Sequence, residues 1–165
     1  MALNRLSVIS GVLSQLPGTI HLEKRIEARA DRVYRAFQHT KALRVWYDPR
    51  CRIETFAVGG KLVGDNYPSA EILALIPNQM IVHRYSDTVT GLGIWSFVVR
   101  NRNRTTLLIF DHLDAYDSRE DRDSITFYWR GLIDNLTAFC EGREIPFDHD
   151  TGDYRRRTRR RAQAA

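Results

Sequence analysis

Apolar and polar residues alternate over several short stretches of the chain, whereas one long stretch near the C-terminus repeats its apolar residues every three to four positions. Alternation is typical of strands with one buried face, and the longer period is typical of an amphipathic helix. The helical period predicts two short helices, at residues 30–38 and 40–46. It also predicts a long helix that begins near Asp123 and ends at Gly142. The alternating stretches predict strands at residues 19–27, 51–58, 61–64, 69–76, 80–86, 93–101 and 105–113.

Turn-forming pairs separate the predicted strands. Gly59-Gly60, Pro77-Asn78 and Thr90-Gly91 are breaks of the kind that join neighbouring antiparallel strands. The order of strand, two helices, further strands and a long helix predicts an α+β fold, in which a curved antiparallel sheet surrounds the C-terminal helix. Such an arrangement leaves a hollow between sheet and helix, and we expect the functional site there.

The composition divides the chain into three parts. Residues 1–18 are an N-terminal extension with helical spacing of Leu3, Leu6 and Ile9. Residues 19–144 carry the strands and helices of the predicted domain. Residues 145–165 are polar and arginine-rich, and we expect them to be disordered because they offer little apolar area to bury.

The positive charge of the chain belongs to its C-terminal part. The net charge is +5, and the run from Arg155 to Arg161 alone contains six arginines, so the rest is close to neutral. A nucleic-acid-binding face would need cations spread over the fold. The run is therefore interpreted as a solvated tail, and the alternative is a weak, salt-dependent contact between it and polyanions.

No continuous apolar run reaches the roughly 20 residues that a membrane span requires. The two cysteines, Cys51 and Cys140, are far apart and lie in no metal-binding spacing, which favours free thiols and a cytoplasmic protein. The chain also lacks the usual nucleotide-binding, zinc-protease and hydrolase motifs. We therefore expect no cofactor and no metal, and enzymatic activity stays open.

Several ordered segments resemble one family. The chain resembles the SRPBCC superfamily, which includes the START and birch-pollen-allergen-like helix-grip proteins, and within it the branch named after the activator of heat-shock-protein-90 ATPase. The resemblance covers about residues 19–143. It is carried by IHLEKRIEARADRVYRAF, Trp46 with Pro49, Gly59-Gly60, ILALIPNQMIVHRY, Thr106-x-Leu108-x-Phe110-x-His112 and Trp129-x-x-Leu132-x-x-Asn135-Leu136.

The resemblance implies a helix-grip fold with a hydrophobic cavity. It says much less about a reaction, because one fold supports many functions. The main hypothesis is a protein that binds a small hydrophobic or aromatic ligand between sheet and C-terminal helix. One alternative is an enzyme of the polyketide cyclase or dehydratase type, whose catalysis by cavity shape leaves little trace in sequence. The other is a chaperone-linked interaction module, suggested by the branch name alone.

The candidate ligand-binding residues are mostly aromatic, because aromatic side chains offer flat apolar area and, in Trp and Tyr, a polar group. Plain core packing is the competing interpretation of each one. His112 lies where the family branch often has a histidine, while His21, His39 and His149 are interpreted as surface residues. The acidic residues between Asp111 and Asp123 are interpreted as a solvated loop. The aromatic candidates are Trp46, Tyr47, Phe56, Trp95, Phe97, Tyr128 and Trp129, and the polar candidates are His83, Arg84 and His112.

Two neighbouring predicted strands are apolar on both faces, although the strands of a sheet with one solvated face should alternate apolar and polar residues. Ile94 and Val98 lie opposite Trp95, Phe97 and Val99. On the next strand Leu107 and Ile109 lie opposite Leu108 and Phe110. Since a large apolar patch is rarely left in water, we expect the outer face to be covered by a second subunit or by residues 1–16.

Overall fold

The computed structural model describes residues 18–64, 69–87, 91–102, 104–113 and 118–155. The predicted helix at residues 1–16 and the arginines 156–161 lie outside these ranges. Two short helices, α1 (Ala30–Arg35) and α2 (Thr40–Trp46), follow the first strand, and one long helix, α3 (Arg119–Glu141), follows the seventh. The strands are β1 (Ile20–Ile26), β2 (Arg52–Ile53), β3 (Lys61–Val63), β4 (Ala70–Ile76), β5 (Met80–Asp87), β6 (Gly91–Arg102), β7 (Thr105–Leu113), β8 (Phe147–Asp148) and β9 (Asp153–Tyr154).

Strands β1 to β7 form one sheet in the order β1-β7-β6-β5-β4-β3-β2, and every neighbouring pair is antiparallel. The sheet curves around α3, which packs on its inner face. Leu22, Phe97 and Phe110 lie side by side in the register of β1, β6 and β7, and Phe110 contacts Trp129 of α3. The predicted α+β helix-grip architecture is confirmed.

The long helix begins earlier than the sequence prediction. The side chain of Ser118 accepts a hydrogen bond of 3.1 Å from the backbone N–H of Asp121, which makes Ser118 the N-cap in place of Asp123. The predicted end is confirmed, since Gly142 adopts the left-handed conformation (φ 71°) that favours glycine at this position.

The predicted strand at residues 51–58 is much shorter in the structure. Only Arg52 and Ile53 pair with β3, and the chain then turns back on itself before Gly60. At Gly60 a Cβ atom would overlap the backbone carbonyl oxygen of Thr55, so the loop depends on a residue without a side chain. The alternation of residues 51–58 did not reveal this close approach.

A two-stranded hairpin, β8–β9, docks on α3 after the helix ends. The side chain of Asn135 donates a 3.0 Å hydrogen bond to the Phe147 carbonyl and accepts one of 2.9 Å from the Phe147 N–H. The Phe147 ring lies on Gly131, where a Cβ atom would overlap it. The composition predicts a disordered tail from residue 145, whereas residues 147–154 form a hairpin in which the Phe147 side chain is buried.

Both faces of β7 are buried at its centre. Leu108 lies on the inner face and Ile109 on the outer face, and neither is more than 2% exposed. The side chains of Ile94, Trp95, Val98 and Val99 lie outside the described part of the structure, so only β7 bears on the prediction that the outer face is apolar. None of the described helices has the length and apolar composition needed to cross a membrane.

Candidate functional site

A space bounded by eight side chains lies between α2 and the inner face of the sheet, and we call it the hollow from here on. None of these eight residues belongs to α3, whereas the sequence predicted the site between the sheet and that helix. Its walls come from the loop after α1, from α2 and the residue that follows it, and from strands β2, β3, β5 and β6, so no single segment of sequence encodes it. The cavity volume is only about 10 Å³. A volume of that size holds about one water molecule, so the hollow is closed in this conformation. The lining residues are Phe37, Leu43, Trp46, Tyr47, Ile53, Leu62, His83 and Phe97.

Aromatic rings fill the space that the sequence analysis expected to be open. Phe97 lies at the centre of the cluster, with ring centroids 4.7 Å from Phe37, 5.0 Å from Phe110 and 6.2 Å from Trp129. Contacts of this kind contribute about 0.5–1.5 kcal/mol each beyond the area they bury. The closed state is therefore well packed, and a ligand must displace side chains to enter.

The end of α2 supplies one wall of the hollow. Trp46 donates its indole N–H to the carbonyl of Ala36 at 3.0 Å, which satisfies its polar atom and fixes the ring. Tyr47 follows directly and lies 6.3 Å from the Trp129 ring. Burial raises the pKa of Tyr47 well above its usual value, so its hydroxyl stays neutral.

Two buried histidines lie on the inner face of the sheet. His83 of β5 borders the hollow, and His112 of β7 contacts the rings of Phe110 and Trp129. Burial lowers the pKa of each to about 4, because the charged form loses its hydration. Both rings are therefore neutral near pH 7.

Three side chains from three elements form a hydrogen-bonded chain beside the hollow. The Nε1 atom of Trp129 donates to Nδ1 of His112 at 3.1 Å. The Nε2 atom of His112 lies 2.8 Å from the hydroxyl oxygen of Tyr85. We call Trp129, His112 and Tyr85 the relay.

The structure brings most of the predicted site residues together. Trp46, Tyr47, Phe97 and His83 line the hollow. Trp129 contacts Tyr47 and Phe97 from α3, and its indole binds His112.

Trp95 is known here only by its position on the strand. The register of β6 places its backbone opposite His83 on one side and His112 on the other. Its side chain lies outside the described part of the structure.

Three predicted residues lie away from the hollow. Arg84 points to the opposite face of β5 from His83, where it is exposed and binds Glu71. Phe56 packs against Tyr34, with ring centroids 5.7 Å apart, and does not border the hollow. Tyr128 contacts the β8–β9 hairpin instead, through Phe147 and His149.

Sequence reasoning missed five residues of this region. Tyr85 had a usable signal, because it lies two positions after His83 on the same strand and must share its face. The others are ordinary core residues whose place at the hollow depends on long-range packing. They are Phe37, Leu43, Ile53 and Leu62.

A second concave region lies between β1 and α3, and we call it the groove. Its volume is about 370 Å³, and its walls are mostly polar. Lys24 and Tyr154 both bind the Asp134 carboxylate at 2.7 Å. The lining residues are His21, Leu22, Glu23, Lys24, Arg130, Ile133, Asp134 and Tyr154.

Two histidines interpreted as surface residues have specific partners. The Nδ1 atom of His21 lies 2.6 Å from the buried carboxylate of Asp111. His149 bridges Tyr128 at 2.9 Å and the buried Asp48 at 3.4 Å, and its own side chain is mostly buried. Burial lowers the pKa of His149, and the nearby Asp48 opposes that shift. Nothing in the local sequence of His149 indicated this position, because it depends on the docked hairpin.

Within the described ranges no three His, Cys, Asp or Glu side chains are grouped in a way that could hold a metal ion. The two cysteines are buried and free.

By sequence, the chain matches no protein-family model and no curated protein. By structure, it is similar to CalU16 from Micromonospora echinospora, with a TM-score of 0.64 and 18% identity over 76% of this chain and 80% of CalU16. It is also similar to the Aha1 dimer from Colwellia psychrerythraea, with a TM-score of 0.65 and 18% identity over 74% of this chain and 96% of that one. DynU16, a protein of the dynemicin biosynthetic locus, gives a TM-score of 0.65 and 14% identity over 76% of this chain and 48% of DynU16. At these identities the similarity shows the fold alone.

Proposed function

We propose that this protein binds a small, mostly apolar or aromatic ligand in the hollow, in a conformation wider than the closed one. The observation that carries the proposal is that Phe37 from the loop after α1, Trp46 and Tyr47 at the end of α2, and Phe97 of β6 converge on one small space. Ligand sites are lined mainly by such side chains, with a few polar groups among them. His83 supplies a polar group in the same wall.

Opening requires a wall that can move. Helix α2 has only seven residues, and it carries Leu43 and Trp46 of the lining, with Tyr47 directly after it. An outward shift of α2 would widen the hollow without breaking the pairing of the central strands. The ligand would then replace the ring contacts that fill the closed state, so that little apolar surface is left exposed.

A matched pair of variants on α2 tests this proposal. Leu43 lines the hollow and is buried, whereas Val45 is 48% exposed on the same helix. Leu43→Ala removes buried volume, and enlarged apolar cavities in proteins bind benzene-sized molecules. We expect Leu43→Ala to raise the affinity for an apolar fluorescent probe several-fold and Val45→Ala to leave it unchanged. Equal affinities in both variants and the parent, or no binding in any of them, would refute the proposal.

Native mass spectrometry of the freshly purified protein provides a test that needs no probe. A co-purified molecule of a few hundred daltons, lost on unfolding, supports ligand binding. A clean mass of the chain alone, together with failure of the probe experiment, contradicts it.

An enzyme of the cyclase or dehydratase type is a second candidate, and the relay favours it. A hydroxyl held by an imidazole can take part in proton transfer, and Tyr85 and His112 form such a pair next to the hollow. The similarity to DynU16 of the dynemicin biosynthetic locus agrees with this reading. Turnover of an aromatic polyketide-like substrate that is lost in Tyr85→Phe would support it. If the protein binds such a substrate without converting it, the ligand-binding function stands and the enzymatic candidate is rejected.

A homodimer is the proposed assembly. The support for it is that the structurally similar Aha1 from Colwellia psychrerythraea is a dimer. Ile109 on the outer face of β7 is already buried within a single chain and gives no independent support. Light scattering of the full chain and of a chain that starts at Gly18 should give a dimer mass for both. A monomer mass for both would contradict the assignment of the outer face to a subunit contact.

A further inference from the structure

Helix α2 and the turn that follows it form one internally bonded body, residues 40–51, which we call the wall unit. The backbone N–H of Asp48 donates to the Leu43 carbonyl at 3.1 Å, and that of Cys51 donates to the Asp48 carbonyl at 3.1 Å. The Nε atom of Arg44 donates to the Cys51 carbonyl at 3.0 Å. Because these bonds close within the wall unit, it keeps its own shape when it shifts against the sheet.

The β8–β9 hairpin meets the wall unit from the side of α3. It is anchored on α3 by Phe147, which is buried. At the tip of the hairpin, Nε2 of His149 lies 3.4 Å from the Asp48 carboxylate, and Asp150 binds Arg50 at 3.2 Å. The hairpin thus joins the turn after α2 to α3, while the residues that line the hollow all lie outside it.

The Asp48 carboxylate makes the closed position of the wall unit sensitive to these contacts. Its side chain is fully buried, and its Oδ2 atom has no hydrogen-bond partner among the described residues. Its Oδ1 atom accepts from the backbone N–H of Arg50 at 2.9 Å and lies 3.5 Å from the Arg50 Nε. A carboxylate buried with few partners is costly. An outward shift that hydrates Asp48 would therefore offset part of the cost of separating the apolar walls.

We infer that the hairpin is a latch on the hollow: its tip holds the wall unit closed through Asp48 and Arg50, and release of the tip admits the ligand. This inference rests on the proposed function for its ligand, while the coupling of the hairpin to α2 stands on the contacts alone. A protein that binds only in its open state loses affinity in proportion to the closed fraction. Variants that weaken the latch should therefore bind ligand more tightly, although no lining residue has changed.

Hydrogen exchange of the tryptophan indoles, followed by NMR at one pH, tests the latch without any ligand. The indole N–H of Trp46 donates to the Ala36 carbonyl outside the wall unit, so an outward shift of α2 breaks that bond. The indole N–H of Trp129 on α3 binds His112 of the sheet and is the internal reference. His149→Ala should speed exchange at Trp46 about three- to tenfold and leave Trp129 within about twofold.

A charge-matched pair of variants on the hairpin separates the contact from the charge. Asp150→Asn removes the ion pair with Arg50, whereas Asp153→Asn removes the same charge from an exposed side chain that makes no such contact within the described ranges. Because the Asp150 pair is exposed, its loss should speed exchange at Trp46 only about twofold. Asp153→Asn should leave it unchanged. Both are surface substitutions, so the test remains available if His149→Ala does not fold.

Ligand binding is measured in the same variants with 9-fluorenone, a neutral aromatic molecule. A neutral probe is chosen because the lining of the hollow includes no lysine and no arginine. The Kd of His149→Ala should fall by the same factor by which its exchange at Trp46 rises, since both depend on the population of the open state. Asp153→Asn should bind with the Kd of the parent.

The latch is overturned if exchange at Trp46 is unchanged in His149→Ala, if Trp46 and Trp129 accelerate equally, or if Asp153→Asn acts like Asp150→Asn. Faster exchange at Trp46 with an unchanged Kd would also overturn it, because the motion would not be the route of entry, whereas ligand binding in the hollow would stand. If Trp46 responds as expected and 9-fluorenone binds to no variant, the proposed function fails, and the coupling of the hairpin to α2 is upheld.

Discussion

The hollow and the groove differ both in volume and in the chemistry of their walls. The hollow has the apolar and aromatic lining of a ligand site but a volume of only about 10 Å³. The groove has a volume of about 370 Å³, but its charged walls already bind one another, as Lys24 and Tyr154 bind Asp134. Volume and ligand-like chemistry therefore do not coincide in this molecule.

The difference follows from what each lining does without a ligand. An empty apolar cavity is costly because its walls lose packing contacts, so the side chains of the hollow close on one another. A polar groove has no such cost, since water solvates its walls. We therefore take the chemistry of the lining, rather than the free volume, as the guide to the site.

The largest effect expected from a single substitution is on the stability of the aromatic cluster. Trp129 is 4% exposed and contacts Tyr47, Phe97 and Phe110. Trp129→Ala should lower the free energy of unfolding by about 3–5 kcal/mol in chemical denaturation. Phe127→Ala, two residues earlier and 45% exposed, is the control and should cost far less. Similar losses of unfolding free energy in both variants would show that the aromatic cluster contributes no more to stability than an exposed aromatic residue does.

Acid should destabilise the protein through the two inner histidines. The folded-state pKa values of His83 and His112 are about 4, below the usual 6.5, so the unfolded chain binds more protons between these values. The free energy of unfolding should therefore fall as the pH drops from about 6.5 to 4, by up to about 3 kcal/mol for each histidine.

Denaturation curves at several pH values check this expectation. Most of the fall should occur above pH 5, where ordinary carboxyl groups are still ionised. His83→Gln should flatten the curve by about half. A stability that is constant between pH 7 and pH 5 would contradict burial of two neutral histidines.

A clash built into α3 should loosen the hairpin that borders the groove. Gly131→Ala places a Cβ atom into the Phe147 ring, and overpacking of this kind costs about 1–3 kcal/mol. Tyr154 would lose its place on Asp134, while probe binding in the hollow should persist. The double variant Gly131→Ala/Phe147→Leu should recover part of the loss. A single variant as stable as the parent would mean that Phe147 does not pack on residue 131.

The smallest effect is expected in the groove itself. The side chains of Lys24 and Asp134 are 40% and 29% exposed, and ion pairs at such sites contribute about 0–1 kcal/mol. A double-mutant cycle of Lys24→Met and Asp134→Asn should give a coupling energy in that range, which shrinks at high salt. A coupling of several kcal/mol that is insensitive to salt would mean that the groove is more preorganised than its exposure indicates.

The fold could be predicted from sequence because its signals are local. The period-two stretches and hairpin breaks give the antiparallel order, and Gly142 marks the end of α3. The short β2 was not predictable, because it depends on the approach of Gly60 to the Thr55 carbonyl. The start of α3 at Ser118 was within reach, since a serine three residues before an aspartate is a common N-cap pattern.

The site was predicted less completely because it depends on packing between distant residues. The structure places Trp46, Tyr47, His83 and Phe97 around the hollow, and strand alternation places Tyr85, rather than Arg84, on the same face as His83. The closure of the hollow and the docking of Phe147 on Gly131 could not be foreseen, because both depend on the fit of side chains from separate elements.

The most direct test of the central claim is methyl NMR of the Leu- and Ile-labelled protein during titration with 9-fluorenone. Leu43, Ile53 and Leu62 report on the hollow, and Leu22 and Ile133 report on the groove. We predict saturable shifts of the first three methyl sets and none of the last two. Shifts confined to Leu22 and Ile133, or no saturable shift in either region, would contradict the assignment of ligand binding to the hollow.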